Sequence, residues 1–341
     1  MIQGIEGAEP PRPAIPDDAT RSAASVDTRP PVIAIGGPTA SGKSALALAL
    51  AERLGGVVIN ADSMQLYEAL SILTARPGAD ALARAPHRLF GIARADDPWS
   101  AGRWRRCAAA EIEAARDAGL RPIVVGGTGL YLHALVDGLA AVPPPDPAIR
   151  ARLRGLLEER GSAAMHDLLA RRDPDGARAV RASDPQRILR ALEVIEATGE
   201  PLHVWQARQA APPAEGWSVL QILLMPGRDA VYAACEARFD RMIAEGAVEE
   251  ARAVRAMKLD PALPAMKAVG LAPLLAHCAG ALALEDAVAA AKRDTRRYAR
   301  RQMTWFRNRS RPDRVVAEQY SESLVPEIFS FISDFRLTPN R

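Results

Sequence analysis

Short hydrophobic runs alternate with helical patterns over the first part of the chain. Residues 32–35, 57–59 and 122–125 are continuous apolar runs that end in polar or glycine residues, which is typical of strands buried on both faces. A helical pattern follows over 45–50 and again over about 102–118. Strands that alternate with helices in this way predict a parallel sheet. We therefore expect an α/β fold with a parallel-sheet core.

The next part of the chain reads as helical throughout. Proline-rich residues 143–147 make a stiff break, and residues 148–205 then look wholly helical, with a Gly-Glu-Pro stop at 199–201. A strand pattern returns at 219–225, so we infer an all-helical module inserted into the core. Further helices are predicted over about 229–257 and 285–307. The predicted organisation is a disordered N-terminal extension at 1–30, the first part of the core at 31–142, the inserted helical module at 143–205, the second part of the core with a basic C-terminal helix at 206–320, and a C-terminal tail at 321–341.

Composition narrows the class of protein. The chain has 341 residues, 48% of them hydrophobic, which is enough for a substantial core in one large or two modest domains. No apolar stretch is long enough to cross a bilayer, and the N-terminus lacks the basic-then-apolar order of a secretory signal. The three cysteines are scattered without metal-ligand spacing, so we expect reduced thiols in a cytoplasmic protein without a membrane partner.

A glycine-rich loop joins the first predicted strand to the first predicted helix. Its glycines let several backbone N–H groups point at one anion, Lys43 adds a positive charge, and the Ser44 hydroxyl can hold a magnesium ion. Only 4 of the 44 basic residues are lysine, so composition alone does not account for a lysine here. The pattern predicts a phosphate-binding P-loop and leaves its phosphorylated ligand open. The loop residues are Gly37, Pro38, Thr39, Ala40, Ser41, Gly42, Lys43 and Ser44.

Two further strand ends carry candidate chemistry. Asp62 directly follows the 57–59 strand, where it either caps a helix or acts as a metal ligand or general base. Residues 126–131 (Gly-Gly-Thr-Gly-Leu-Tyr) follow the 122–125 strand, as a plain turn or as a second set of anion-facing donors. Ligands of parallel sheets sit beyond the carboxyl ends of the strands. The P-loop, Asp62 and this turn should therefore converge on one crevice.

Basic residues are concentrated near the C-terminus. Residues 292–314 hold ten basic side chains against two acidic ones, a net charge of +8, with aromatic residues interleaved. Such a run is either a solvated helix with its aromatic residues on the core, or a surface that nucleic acid neutralises. In the helical module, residues 183–190 include a capped helix start, and Gln186, Arg187 and Arg190 share one face of that helix.

Seven segments of the sequence together resemble tRNA dimethylallyltransferases, also called tRNA isopentenyltransferases. They occur in the matching order from about residue 31 to 310, so the set is far more specific than any single motif. The chain departs from the family pattern at residues 68–73, at Ala234 and at Leu271. The matching segments are 36–44, 61–67, 74–77, 86–89, 126–131, 183–194 and 295–307.

The resemblance implies transfer of a dimethylallyl group from dimethylallyl diphosphate to the exocyclic amine of an adenosine in tRNA. This adenosine lies immediately 3′ of the anticodon, and the products are isopentenyladenosine and diphosphate. Because the target base is stacked in the anticodon loop, it should be extruded into the crevice. The implied cofactor is Mg²⁺ at Ser44, the implied partners are the tRNA anticodon stem-loop and dimethylallyl diphosphate, and we expect a monomer.

The resemblance also implies roles for single residues. The P-loop amides and Lys43 would stabilise the departing diphosphate. Arg238, which by position alone would form a surface ion pair, matches a family arginine for the same leaving group. Asp62 would accept the proton of the amine, and Thr128 would lie beside that amine. The implied tRNA contacts are Asp62, Ser63, Met64, Gln65, Thr128, Arg150, Gln186, Arg187, Ile188, Leu189, Arg190, Lys267, Arg300, Arg301 and Arg307.

Three other functions compete with this interpretation. A P-loop kinase of a nucleotide or small metabolite would use Asp62 as metal ligand or base, but it has no need of the basic residues 296–307. An adenylate isopentenyltransferase would act on free nucleotides, whereas the basic helix and the inserted module favour a large RNA. A P-loop RNA-binding protein without catalysis is the third, and replacing Asp62 with Asn separates it from an enzyme.

Overall fold

The computed structural model describes residues 31–140, 142–144, 146–208 and 217–337. The extension predicted at 1–30 lies outside these ranges. The strands form one sheet and are β1 (Val32–Gly36), β2 (Gly56–Asn60), β3 (His87–Arg88), β4 (Arg121–Gly126), β5 (Val219–Leu224) and β6 (Arg314–Val316).

All neighbouring strands of the sheet are parallel, and their order is β3-β2-β4-β1-β5-β6. The central strand β1 pairs with β4 through Ile33 and Ile123, and with β5 through Ile33 and Leu220. The predicted α/β class with a parallel-sheet core is confirmed. The edge strands β3 and β6 have two and three residues, which is too short for a hydrophobic pattern to reveal them.

Helices connect the strands and cover the sheet. A short 3₁₀ helix, Pro264–Lys267, lies among them. The α-helices of the described ranges are α1 (Lys43–Leu54), α2 (Ala79–Arg84), α3 (Ala101–Asp117), α4 (Gly129–Val136), α5 (Pro147–Arg172), α6 (Pro174–Ala179), α7 (Pro185–Thr198), α8 (Leu202–Ala207), α9 (Arg228–Ala244), α10 (Ala247–Ala256), α11 (Leu271–Cys278), α12 (Leu284–Arg309) and α13 (Leu324–Leu337).

The sheet separates two hydrophobic cores, because successive side chains of a strand point to opposite faces. Ala34 of β1 belongs to one core, which includes Trp104 of α3 and Phe306 of α12. Its neighbour Ile33 belongs to the other core, which includes Leu46 of α1. No helix of the described ranges combines the length and apolar character that a bilayer-spanning segment needs.

The helices α5 to α8 occupy the predicted helical insertion and have a core of their own. Leu153, Met165 and Leu169 of α5 pack against Ile188 and Leu192 of α7, and all five side chains are buried. The chain then returns to the sheet as β5, directly beside β1. A separate core between two strands of one sheet is the arrangement expected of an inserted module.

Two helical segments differ from the predictions. The single helix expected over about 229–257 is divided into α9 and α10, because Gly246 adopts a left-handed φ of 101° between them. The tail expected at 321–341 contains α13, which buries Leu324, Ile328 and Ile332 in the core beside α1. The tail thus contains a helix because its apolar residues have helical spacing and cover α1.

Candidate active site

The loop between β1 and α1 has the backbone geometry of an anion cradle. Gly37 and Gly42 have positive φ angles of 154° and 87°. A side chain at Gly37 would overlap the carbonyl oxygen of Leu224, and one at Gly42 would overlap Tyr320. The helix α1 begins directly after Gly42, with no acidic residue in its first turn. Its unpaired N-terminal amides therefore favour an anion at the loop.

Two cationic side chains meet at this loop. Lys43 donates from Nζ to the carbonyl oxygen of Pro38 at 3.2 Å, and Arg238 of α9 donates from Nη2 to Oγ1 of Thr39. Burial lowers the pKa of Lys43 to about 8, against an opposing effect of Asp62. Burial also lowers the pKa of Arg238. Two desolvated cations side by side indicate a site built for an anion.

Several donors at the loop lack a partner. The Ser41 hydroxyl and Nε of Arg238 are buried and make no hydrogen bond within the described part of the chain. Ser44 is an exposed residue in the first turn of α1. Phosphate oxygens accept hydrogen bonds, and Mg²⁺ takes a hydroxyl together with phosphate oxygens and water. These residues therefore fit a diphosphate with a magnesium ion.

Asp62 lies at the end of β2 and is held by Asn60. The buried Asn60 side chain accepts from the Asp62 amide at 2.7 Å and donates to the Asp62 carbonyl oxygen at 2.9 Å. Oδ1 of Asp62 accepts from the Met64 amide at 3.0 Å, in a bend where no helix begins. Oδ2 lies on the side of Gly127 and makes no hydrogen bond within the described residues. Asp62 therefore keeps one carboxylate oxygen available, and it is not a helix cap.

Thr128 joins the loop after β4 to the loop after β2. Its Oγ1 accepts from the Ser63 amide at 2.9 Å and bonds the Ser63 hydroxyl at 3.2 Å. The amide of Thr128 also donates to the carbonyl oxygen of Ala61. Tyr298 of α12 belongs to the same surroundings, since burial and the charge of Asp62 both raise its pKa. The predicted convergence of the strand ends is confirmed.

Gln302 of α12 completes the site, although no pattern in the sequence singled it out. Its Oε1 accepts from the Thr39 amide at 2.8 Å, and its Nε2 donates to the Gly127 carbonyl oxygen at 2.8 Å. The side chain is buried among arginines that face solvent. A glutamine on the buried face of an arginine-rich helix is the signal that could have pointed to it.

The residues predicted to contact tRNA have different surroundings. Gln65 donates to the carbonyl oxygens of Thr74 and Ala75, so its amide group already holds the 71–76 loop. Ile188 is fully buried in the core of the helical module, so its side chain packs against α5 and is not available to RNA. Half-buried positions are Ser63, Met64, Gln65, Thr128, Arg150, Leu189 and Arg190. Exposed positions are Gln186, Arg187, Lys267, Arg300, Arg301 and Arg307.

The helical module presents two arginines around one buried carboxylate. Arg150 of α5 bonds Glu193 of α7 through two nitrogens, at 2.9 and 3.3 Å. Arg190 lies 3.7 Å from the same carboxylate. One negative charge thus holds two arginines in place, and the cluster keeps a positive charge for an anionic partner.

The exposed side of α12 is strongly basic. Nearby carboxylates form ion pairs with Lys292, Arg296 and Arg297, which lie in the first half of the basic run. Arg300 and Arg307 are exposed and form no ion pair with a described carboxylate. Trp305 packs over Gly129 at the start of α4, directly beside Thr128. This helix therefore carries both a basic surface and a wall of the candidate site.

The parallel sheet and the phosphate loop define an α/β P-loop protein, and comparisons with known proteins narrow the class. A family model described as IPP transferase matches residues 65–309, and one described as isopentenyl transferase matches residues 30–95. A tRNA dimethylallyltransferase of Rhodospirillum centenum is 55% identical over 278 residues, 82% of this chain and 88% of the relative. One from Parvibaculum lavamentivorans is 51% identical over 306 residues, 90% of this chain and 97% of the relative.

A solved structure that is similar to this chain carries a related name. The tRNA isopentenylpyrophosphate transferase of Bacillus halodurans is 31% identical and superposes with a TM-score of 0.65, covering 90% of this chain and 97% of that one. The chain belongs to the tRNA dimethylallyltransferase family, as its motifs predicted.

Proposed function

We propose that this chain transfers a dimethylallyl group from dimethylallyl diphosphate to the exocyclic amine of the adenosine 3′ of the anticodon in tRNA. The products are isopentenyladenosine and diphosphate. One observation carries the proposal: two half-buried cations, and donors without a partner among the described residues, adjoin Asp62 at the phosphate loop, and the second carboxylate oxygen of Asp62 faces Gly127. This arrangement suits an anionic leaving group beside a proton acceptor.

The phosphate loop would hold the donor. Breaking the carbon–oxygen bond leaves negative charge on the diphosphate, and fixed donors that face this charge lower the barrier. Residues 40 and 42–44 would supply backbone amides, while Lys43, Arg238 and the Ser41 hydroxyl would supply side-chain donors. Mg²⁺ would be held by Ser44 together with the diphosphate oxygens, and when bound it would neutralise part of the same charge.

The strand ends beside the loop would hold the acceptor. The adenine amine must lose a proton as its bond to carbon forms, and Oδ2 of Asp62 is placed to accept it. The Thr128 hydroxyl is held beside Asp62 by its hydrogen bonds to Ser63, so it would position the amine by hydrogen bonding. Extrusion of the base from the anticodon loop would bring the amine into this site.

The RNA itself would be bound mainly through phosphate contacts. The exposed Arg300, Arg301 and Arg307 of α12 and the Arg150–Arg190 cluster of the helical module are positive surfaces without full acidic compensation. We propose that residues 143–205 form a tRNA-contacting module. One chain carries every group named above, so we propose that the protein acts as a monomer, in the cytoplasm where its tRNA substrate is processed.

A kinase function finds no such support. The relatives that match most of the chain are named tRNA dimethylallyltransferases, and the basic side of α12 has no role in phosphorylating a small metabolite.

The test is product analysis. Unmodified tRNA is incubated with the full-length chain, Mg²⁺ and dimethylallyl diphosphate, then digested and analysed by mass spectrometry. We expect one five-carbon unit on the adenosine 3′ of the anticodon, with release of an equal amount of diphosphate. Phosphoryl transfer from ATP, or unmodified tRNA, would contradict the proposal.

A further inference from the structure

Gln302 spans two parts of the site that the proposed function assigns to different substrates. Thr39 belongs to the loop that would hold the diphosphate, and Gly127 lies between the ends of β4 and α4, beside Asp62. Both ends of one amide group are used, each at 2.8 Å. We propose that Gln302 is a positioning residue that fixes the distance between the donor loop and the acceptor site.

Burial makes this connection stiff. Gln302 is 6% exposed, and both of its hydrogen bonds are buried, so water does not compete for either partner. The side chain comes from a third element, α12, whose neighbouring residues Met303 and Phe306 are anchored in the core. The rigid helix α12 therefore holds both the donor loop and the Gly127 turn in place.

The space around the bridge supports a close fit. A side chain at Gly127 would overlap Nε2 of Gln302 and would come within 3.4 Å of Oδ2 of Asp62. Gly127 therefore has to lack a side chain for the amide to reach its carbonyl oxygen. Removing the bridge would let the two loops drift apart, and a displacement of about 1 Å between reacting groups costs up to about 100-fold in rate.

The inference rests on the proposed function, because only a two-substrate reaction depends on the separation of these loops. A positioning role predicts an effect on the rate of transfer and little effect on the binding of either substrate alone. A role in binding predicts weaker binding of one substrate and little effect on the rate of transfer once both substrates are bound. The two roles are therefore separable by measurement.

The first test replaces the amide with an apolar side chain of similar length. Gln302→Met should lower the single-turnover rate of transfer by more than about tenfold, with the Kd of tRNA and of dimethylallyl thiolodiphosphate each changed by less than about threefold. Thr295→Val is the matched control, because Thr295 is a buried polar residue two turns earlier on α12, and within the described residues its hydroxyl bonds only the Ala291 carbonyl oxygen. It should change the rate by less than about threefold.

A second variant guards against a trivial loss of folding. Gln302→Glu keeps an acceptor for the Thr39 amide, and its carboxyl group can donate to the Gly127 carbonyl oxygen only when protonated. The ratio of its rate to that of the wild type should therefore rise as the pH is lowered from about 8 to about 5.5. A misfolded variant would not regain activity in acid.

The results separate the inference from the function on which it rests. If the wild type transfers no dimethylallyl group, the proposed function is wrong. If the wild type is active but Gln302→Met matches Thr295→Val, the bridge has no positioning role. Loss of rate that follows loss of donor affinity, or a Gln302→Glu ratio that stays flat with pH, would also overturn the inference.

Discussion

Lys43 offers a test of the donor site through its charge. Burial lowers its pKa from 10.5 to about 8, so the side chain loses its proton within an accessible pH range. If only the protonated form binds the diphosphate, the Kd of the donor should rise about tenfold between pH 7 and pH 9. Arg238 keeps its charge over this range, so it does not contribute to the slope.

Raising the pH should stabilise the folded protein, although it weakens the binding of the donor. Holding a protonated Lys43 in the folded protein costs up to about 3 kcal/mol at neutral pH, because burial lowers its pKa from 10.5 to about 8. The unfolded chain binds more protons between the folded and the unfolded pKa values, so the free energy of unfolding should rise from about pH 8 to pH 10. Lys43→Met should therefore stabilise the free protein at pH 7 while it weakens donor binding.

The assay is isothermal titration of dimethylallyl thiolodiphosphate, an unreactive donor analogue, into the chain from about pH 7 to pH 9.5 with Mg²⁺ held constant. Buffers of different ionisation enthalpy will report an uptake of nearly one proton per site at pH 9. Lys43→Arg, whose charge is fixed, should remove the pH dependence, and Lys258→Met, at an exposed lysine, should keep it. A flat profile in the wild type, or a slope that survives in Lys43→Arg, would refute the reasoning.

Two further predictions concern the RNA surface and the C-terminal helix. Replacing Arg300 and Arg301 with Ala should weaken tRNA binding and reduce the slope of log Kd against log salt by about two, because two exposed phosphate contacts are lost. An unchanged slope in a filter-binding titration would show that this side of α12 is solvated and does not bind RNA. Ile328→Ala should lower the free energy of unfolding by about 2–4 kcal/mol in urea, since Ile328 is 2% exposed in the core beside α1. The exposed Ser330→Ala on the same helix should change it by less than about 0.5 kcal/mol, and equal effects of the two substitutions would contradict the packing of α13.

The local features of the fold followed from the sequence. Each buried strand near the site is a short apolar run, and the P-loop residues are contiguous, so hydrophobic pattern and motif spacing were sufficient for both. The position of Asp62 beside the P-loop also followed, because parallel strands end at the same edge of the sheet.

Long-range contacts of single side chains could not be predicted in this way. Gln302 lies 263 residues from Thr39 in the sequence, and only the packing of α12 brings the two together. Likewise, the carboxylate of Glu250 accepts from the amides of Ser71, Ile72 and Leu73, in the stretch that departs from the family pattern. Ile188 lies in the segment predicted to contact tRNA, and its side chain is buried in the core of its own module, which the motif alone does not reveal.

The central claim is that a diphosphate leaves from the phosphate loop while Asp62 accepts the proton of the amine. The most direct measurement is the single-turnover rate of transfer by Asp62→Asn, together with the Kd of tRNA and of the donor analogue. Asparagine retains an acceptor for the Met64 amide, so the bend at the end of β2 is preserved while the base is removed. The account predicts a loss of about 100-fold or more in rate with both affinities within about threefold of the wild type. A rate within threefold of the wild type would contradict it.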